Sequence, residues 1–468
     1  MNCKMVSGIE THVELATATK VFCGCSTKFG AAPNTLCCPI CTGQPGALPV
    51  LNRKALQLCI RAGLALNCKI NSRTRFARKN YFYPDLPKTY QISQEALPVC
   101  QDGFIRLESG KIIRIERIHL EEDAGKLVHD GDKTFIDYNR CGVPLIEIVT
   151  RPDISSPQEA REYIESLQNI LRFAGVSDCR MQEGSLRCDV NISVSVDGAE
   201  GTRTEIKNLN SLSNAERAMR SEYERQLAIL EGGGVVEQAT MRFDEKSGRT
   251  VAMRTKESAR DYRYFTEPDI PDILISESDL QAERAAIPEL PAQRRERYVS
   301  LGVSSHTATL LTKYRAVCDY FESCLSMGAG AKNAANLIAG TVFSALPAEE
   351  DKLAFNIKIP AEEFATVVRY ADEGRMSITA AQLAISRMLE SGCRASDCIS
   401  AADLNKISDE QLEKLCRDAI AANPAAAADY RGGKQKAIGA FFGYLKHASG
   451  GRADIKQAEL IIKRLLSE

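Results

Sequence analysis

From Gly8 to Leu15 the sequence reads Gly-Ile-Glu-Thr-His-Val-Glu-Leu. In a strand this alternation sends Ile9, Thr11, Val13 and Leu15 to one face and Glu10, His12 and Glu14 to the other. The first face suits a core. The second is a row of oxygen and nitrogen donors of the kind that hold Mg²⁺ or Mn²⁺ and, through the ion, a nucleotide's phosphates. A solvated edge strand satisfies the same alternation, so the rest of the chain has to decide between them.

Leu186 to Val196 repeats the pattern more cleanly, with Leu186, Cys188, Val190, Ile192, Val194 and Val196 opposite Arg187, Asp189 and Asn191. Asp197-Gly198 and a short loop lead to Arg203, Glu205 and Lys207 alternating with Thr204 and Ile206, which predicts a hairpin. Its polar face gathers acids, cations and an amide, a composition that suits a phosphate and metal site better than a solvated face. Residues 112–123 form another strand pattern that ends in Glu121-Glu122-Asp123, and Gly125 and Lys126 follow. Adjacent carboxylates repel unless water or a cation offsets them, so this run reads either as solvated or as facing metal.

Two close thiol pairs, Cys23-Gly-Cys25 and Cys38-Pro-Ile-Cys41, have the spacing of a four-cysteine Zn²⁺ site. Cys37 is the surplus thiol. A closed site of this kind fixes a loop and leaves no position for chemistry. The stretch Arg78-Lys79-Asn-Tyr81-Phe-Tyr83-Pro-Asp85-Leu-Pro-Lys88-Thr-Tyr90 interleaves cations and aromatics. It suits phosphate neutralisation with base stacking, and equally a surface loop packing its tyrosines.

Ser156 and Glu159 read as a capping box opening a helix that Gly175 stops, and Ser213 with Glu216 as a second, closing on Gly232. Prolines at 268, 271, 288 and 291 end a first domain near residue 290. Helical patterns follow, and over 431–468 eight Lys or Arg oppose three Asp or Glu, a local basic patch that can meet a phosphate backbone.

A net charge of −1 means that any nucleic-acid binding must come from such a patch and not from a global field. The 17 cysteines, scattered apart from the knuckle, fit a reducing cytosol better than a disulfide framework. No apolar run approaches the roughly 18–20 residues of a membrane span. The Gly-Lys pairs lack the upstream glycine and following Ser or Thr of a P-loop, and there is no Gly-x-Ser-x-Gly elbow. Metal-assisted phosphoryl transfer is therefore favoured over covalent catalysis.

Taken together, Gly8 to Leu15, the Cys23–Cys41 knuckle with Gly43 to Asn52, Arg78 to Lys88, His119 to Lys126, Asp137 to Glu147, Glu183 to Asn191, Glu205 to Asn210 and Asp261 to Phe265 resemble the B subunits of the tRNA-dependent amidotransferases, the GatB family. Asn423 to Lys436 and the closing basic helix are similar to that family's YqeY-like tail.

The resemblance implies an α+β fold: a mostly antiparallel-sheet cradle domain over 1–290, an all-α domain over 291–400 and a small helical tail over 401–468 that contacts tRNA. It implies ATP-dependent phosphorylation of the side-chain carboxylate of misacylated Glu-tRNA(Gln) or Asp-tRNA(Asn), then amidation with ammonia that the glutaminase partner, GatA, releases from glutamine. GatC and a nondiscriminating synthetase are the further implied partners, and the cytoplasm the implied location. Carried onto this chain, Glu10, His12 and Glu122 or its neighbour Glu121 would hold Mg²⁺, with Asp189 and Glu205 completing the site. Lys79, Lys88, Arg187 and Lys207 would meet ATP phosphates, Cys23, Cys25, Cys38 and Cys41 would hold zinc, and Lys434, Lys436, Lys446 and Arg452 would meet tRNA. A noncatalytic zinc-containing tRNA-binding scaffold is the alternative.

Overall fold

The computed structural model describes residues 2–255, 262–404, 409–449 and 453–467. Two compact units divide the chain, Met1–Leu290 and Pro291–Glu468.

Among the described residues of the first unit, nine strands form one sheet: β1 (Cys3–Glu14), β2 (Lys69–Ile70), β3 (Cys100–Arg106), β4 (Ile112–Glu122), β5 (Pro144–Thr150), β6 (Leu186–Val196), β7 (Thr204–Leu209), β8 (Ala239–Asp244) and β9 (Arg249–Thr255). Their order is β9-β8-β7-β6-β1-β5-β4-β3-β2, antiparallel except for the parallel pair β7 and β8. The first strand of the chain is thus central, between β5 and β6.

Register follows from burial. Val13 pairs with Ile146 and Leu186, and Ile146 with Leu120, so a row of wholly apolar side chains crosses four strands. One residue along, on the opposite face, His12 pairs with Glu147 and Arg187, and Glu147 with His119. A slip of β1 by one position would exchange the two faces. Each large apolar side chain so exposed would cost about 1.5–3 kcal/mol, and each carboxylate buried without a partner several more.

Helices α1 (Arg53–Ala65), α2 (Pro157–Phe173) and α3 (Leu212–Glu231) supply Leu58, Tyr163, Leu167, Ala215 and Met219 to the same core as Ile9, Ile118, Ile148, Val190 and Ile206. Ser156 caps α2 as expected by accepting from Glu159 N–H. The reciprocal half of that box is not made, because the Glu159 carboxylate instead accepts from Ser155 N–H and Lys111 Nζ. The second box is corrected by the structure: α3 begins at Leu212 with Ser211 as its cap, and Glu216 turns to Arg161 and Arg220. Both serines of Ser211-Leu-Ser213 suit a cap, and the earlier one gains two further helical residues.

Beneath β7 and β9, the buried Glu222 carboxylate of α3 accepts from Thr204, Gln226, Thr250 and Arg225. The second unit is helical wherever its described residues are regular, and Leu412, Cys416, Phe441, Leu445 and Ile462 share a core cluster at its C-terminal end. Cys393 and Cys398 are disulfide-bonded; the other described cysteines are free. Among the described residues no helix is long and apolar enough to cross a membrane.

Burial pushes Glu222 up, but Arg225, Gln226 and Thr250 outweigh it and hold the carboxyl below its ordinary value. Its stabilisation is therefore present above the unfolded carboxyl pKa of about 4.3 and is lost as pH falls through the depressed folded value. Urea midpoints measured from pH 6 downward should show this acid-side loss, and Glu222→Gln should remove that part of the pH slope. Glu222→Leu, which leaves the buried Thr204, Gln226 and Thr250 donors without their acceptor, should cost about 3 kcal/mol at neutral pH.

Candidate active site and metal centres

Pairing places Glu147 of β5 between His12 of β1 and His119 of β4. His12 Nε2 is 3.5 Å from Glu147 Oε2 and 3.8 Å from Glu121 Oε1. His119 Nε2 is 3.3 Å from Glu147 Oε2 and 3.4 Å from Glu121 Oε2. One donor atom each from His12, Glu121 and Glu147 lies within 4.8 Å of the others. Opposed oxygen ligands of Mg²⁺ or Ca²⁺ stand about 4–5 Å apart, so two buried carboxylates and an imidazole at these spacings fit a hard divalent cation.

The neighbouring strands widen the site. Glu10 pairs across strands with Asp189, and Asn191 Nδ2 donates to Glu10 Oε1 at 2.8 Å. Lys207 Nζ is 2.7 Å from Glu205 Oε1 and 3.1 Å from Asp189 Oδ2. Glu10, His12, Glu147, Asp189, Glu205 and Lys207 line one polar cavity of about 570 Å³, which Lys79, Tyr262 and Tyr264 complete. Lys79 lies on a strand of a second, three-stranded sheet (77–80, 90–93 and 265–266), and its Nζ stands 5.0 Å from the centre of the Tyr262 ring.

Charge in this cavity is set by neighbours acting against burial. Burial disfavours the His119 cation, yet Glu147 and Glu121 outweigh it and lift the imidazole to about 9. Burial likewise opposes the Glu147 anion, and His119 and His12 reverse that, holding it well below the usual carboxylate range. Lys79 is held above its ordinary value because Glu121 and Glu147 outweigh its burial. Glu10 moves the other way: burial raises it first, and Glu147 adds to the rise. An electrostatic well of this kind accepts a cation at its carboxylates and phosphate oxygens at its lysines.

Other expected residues stand elsewhere. Neighbours in a strand face opposite ways, so Glu121 joins His12 while Glu122 does not. Glu122 pairs with Lys88 Nζ at 2.5 Å and accepts from Ile92 N–H at 2.8 Å. Both residues border a separate cavity of about 130 Å³ with Cys23 and Cys41. Arg187 is held by Asp123 at 2.5 Å, beside the half-buried Glu14, so that its charge is already matched. Burial, and then Asp123, raise Glu14 to about 8. Lys434 pairs with Asp429 at 2.9 Å, whereas Lys436 and Lys446 are exposed. Arg452 and residues 256–261, with Asp261 of the Asp261 to Phe265 run among them, lie outside the described residues.

Sequence reasoning passed over Glu147 and His119 as ligand-site residues. The signal for Glu147 was its place as one acid inside the apolar run Leu145-Ile-Glu-Ile-Val149, every position of which is buried. A lone carboxylate there must have partners.

Cys23, Cys25, Cys38 and Cys41 bring one sulfur each within 4.8 Å of the others, and Cys38 Sγ is 3.9 Å from Cys41 Sγ. Sulfurs on a tetrahedral Zn²⁺ are about 3.8 Å apart, so this donor set fits the ion. Cys38 N–H donates to Cys41 Sγ at 3.2 Å. Cys37 turns aside toward Asn139. The knuckle packs closely on Lys88: a Cβ on Gly43, whose φ is +69°, would overlap the Lys88 side chain.

A sheet with a carboxylate and imidazole cavity, followed by helices, is the layout of a catalytic cradle with an appended helical region. Residues 5–281 match the GatB/GatE catalytic domain, and residues 319–466 the GatB domain. Over 479 residues the chain is 46% identical to the B subunit of the aspartyl/glutamyl-tRNA(Asn/Gln) amidotransferase of Caldicellulosiruptor saccharolyticus, with all of both chains covered. It is 44% identical to the protein of that name from Thermotoga maritima, with 100% of this chain and 99% of the relative covered. Bacillus licheniformis has another at 44%, with the same coverage. The chain belongs to the GatB family, the B subunits of the tRNA-dependent amidotransferases.

The two donor sets should separate by metal. Elemental analysis of the full chain should give about one zinc, which Cys41→Ser removes and Glu147→Gln leaves in place. Mn²⁺ binding, read by electron paramagnetic resonance, should show the reverse dependence.

Proposed function

We propose that the first unit activates the side-chain carboxylate of the amino acid on misacylated Glu-tRNA(Gln), Asp-tRNA(Asn) or both, using ATP, and amidates it with ammonia from a glutaminase partner. The products are Gln-tRNA(Gln) and Asn-tRNA(Asn). The observation that carries this reading is the polar cavity lined by His12, Glu147, Glu10, Asp189, Glu205, Lys79 and Lys207, with the buried Glu121 carboxylate beside His12 and Glu147. Lysines beside a carboxylate group match what phosphoryl transfer needs, which is positioning and charge neutralisation.

His12, Glu121 and Glu147 would hold Mg²⁺, with Glu10, Asp189 and Glu205 around it. When bound, the ion supplies charge neutralisation at the phosphates. Lys79 and Lys207 would pair with phosphate oxygens. Tyr262 and Tyr264 line the cavity wall, where an aromatic ring would stack on a base. The four-cysteine knuckle would be a structural zinc site supporting the loop against Lys88. Lys88 and Arg187, whose charges Glu122 and Asp123 already match, would act on phosphate only by exchanging those partners.

The glutaminase GatA and the third amidotransferase component, GatC, are the proposed partners, with a nondiscriminating synthetase supplying the charged tRNA. The region 401–468 is the proposed tRNA-contacting tail, through Lys434, Lys436, Lys446 and Arg452, after a helical domain over 291–400. The cytoplasm is the proposed location.

Transamidation by the chain with its partners on each misacylated tRNA tests the reading. His12→Ala and Glu147→Gln should each lower tRNA-dependent ADP formation by about 100-fold or more, with zinc content unchanged. Normal ADP formation in both variants would return the chain to a scaffold role. In that case charge reversal at Lys436 or Lys446 would be the damaging change.

A further inference from the structure

Lys20 is fully buried, at 0% exposure. Lysines are almost never so placed unless their charge is paired, because an ammonium taken out of water demands a compensating negative partner. Lys20 Nζ donates to Leu36 O at 2.8 Å and to Tyr138 O at 3.4 Å, and lies 3.6 Å from Cys41 Sγ. Among the described residues no carboxylate is within ion-pair distance. Glu122, which borders the same small cavity, is taken by Lys88. Two carbonyl dipoles alone leave the ammonium's charge unmatched, so its negative partner has to be the sulfur cluster.

Four thiolates around a divalent ion carry two excess negative charges, which a single ammonium reduces to one. We propose that Lys20 is the charge partner of the four-cysteine centre, so that burial of its ammonium and retention of the metal are linked. The inference rests on reading that centre as a zinc site.

The linkage also has a route into the sheet. Lys20 follows the end of β1, Tyr138 precedes β5, and Cys141 Sγ donates to Cys41 O at 3.2 Å. One ammonium therefore ties the knuckle to the exit of one central strand and the approach to another. Lys20 is a positioning residue and touches no reacting atom.

The test uses the full chain, zinc-loaded and metal-stripped, with Lys20→Met and Lys20→Gln. The second variant keeps an N–H for the two carbonyls and removes the charge. Outer partners of metal ligands typically contribute 10–100-fold to affinity, so both variants should surrender zinc to a competing chelator about 10–100-fold more readily. With Co²⁺ in place of zinc, both should shift the thiolate-to-metal charge-transfer band. In thermal unfolding, each substitution should cost more in the loaded protein than in the stripped one.

Unchanged chelator competition, or an equal thermal cost in both states, would overturn the proposal. Full affinity in Lys20→Gln alone would do so as well, by assigning the effect to hydrogen bonding. Failure of both variants to fold in excess zinc would give Lys20 a role independent of metal and would also overturn it. Absence of zinc from the unsubstituted chain would instead sink the underlying metal reading.

Discussion

The cross-strand row His119, Glu147, His12 and Arg187 is the arrangement on which the first unit turns. It exists because β1 is central, with β5 on one side and β6 on the other. A central strand has both edges paired, so its register is specified twice, once by each neighbour's apolar residues. Val13, Ile146, Leu186 and Leu120 bury one face and so hold the polar face in alignment. Apolar burial here does the work of positioning chemistry a few ångströms away.

Carboxylates gathered on one face repel one another, and the fold meets that cost with interleaved cations. His119 stands between Glu121 and Glu147, Lys207 between Glu205 and Asp189, and Arg187 against Asp123. None of these anions depends on bulk water for its partner. A divalent ion at His12, Glu121 and Glu147 would add to the same balance and take the place of a proton on the ligating imidazole.

The knuckle solves a different problem. A run of glycines, prolines and cysteines between residues 23 and 50 has few large apolar side chains to bury, and Phe29, Leu48 and Val50 are exposed. Such a segment needs a cross-link in place of a core. Gly43 against Lys88, and Lys20 between Leu36 of the knuckle and Tyr138, set the four thiols against the sheet.

Period-two alternation along single strands was legible in the sequence, because a side chain's face follows from local geometry alone. So were the α+β class, the paired thiols, the helix caps to within a residue or two and the separation of Glu10, His12 and Asp189 from the core. Which strand lies beside which was not, since pairing between residues more than a hundred positions apart leaves no local trace. That is why strand alternation does not single out Glu147 and His119 and leaves Glu122, one step from Glu121, an equal candidate. Only the tertiary structure placed Glu121 beside His12 and Glu122 beside Lys88, turned Arg187 toward Asp123, and enclosed Lys20 with no acid beside it among the described residues. These outcomes are decided by long-range register and by competition among charges for partners, which only the folded chain brings within reach of one another.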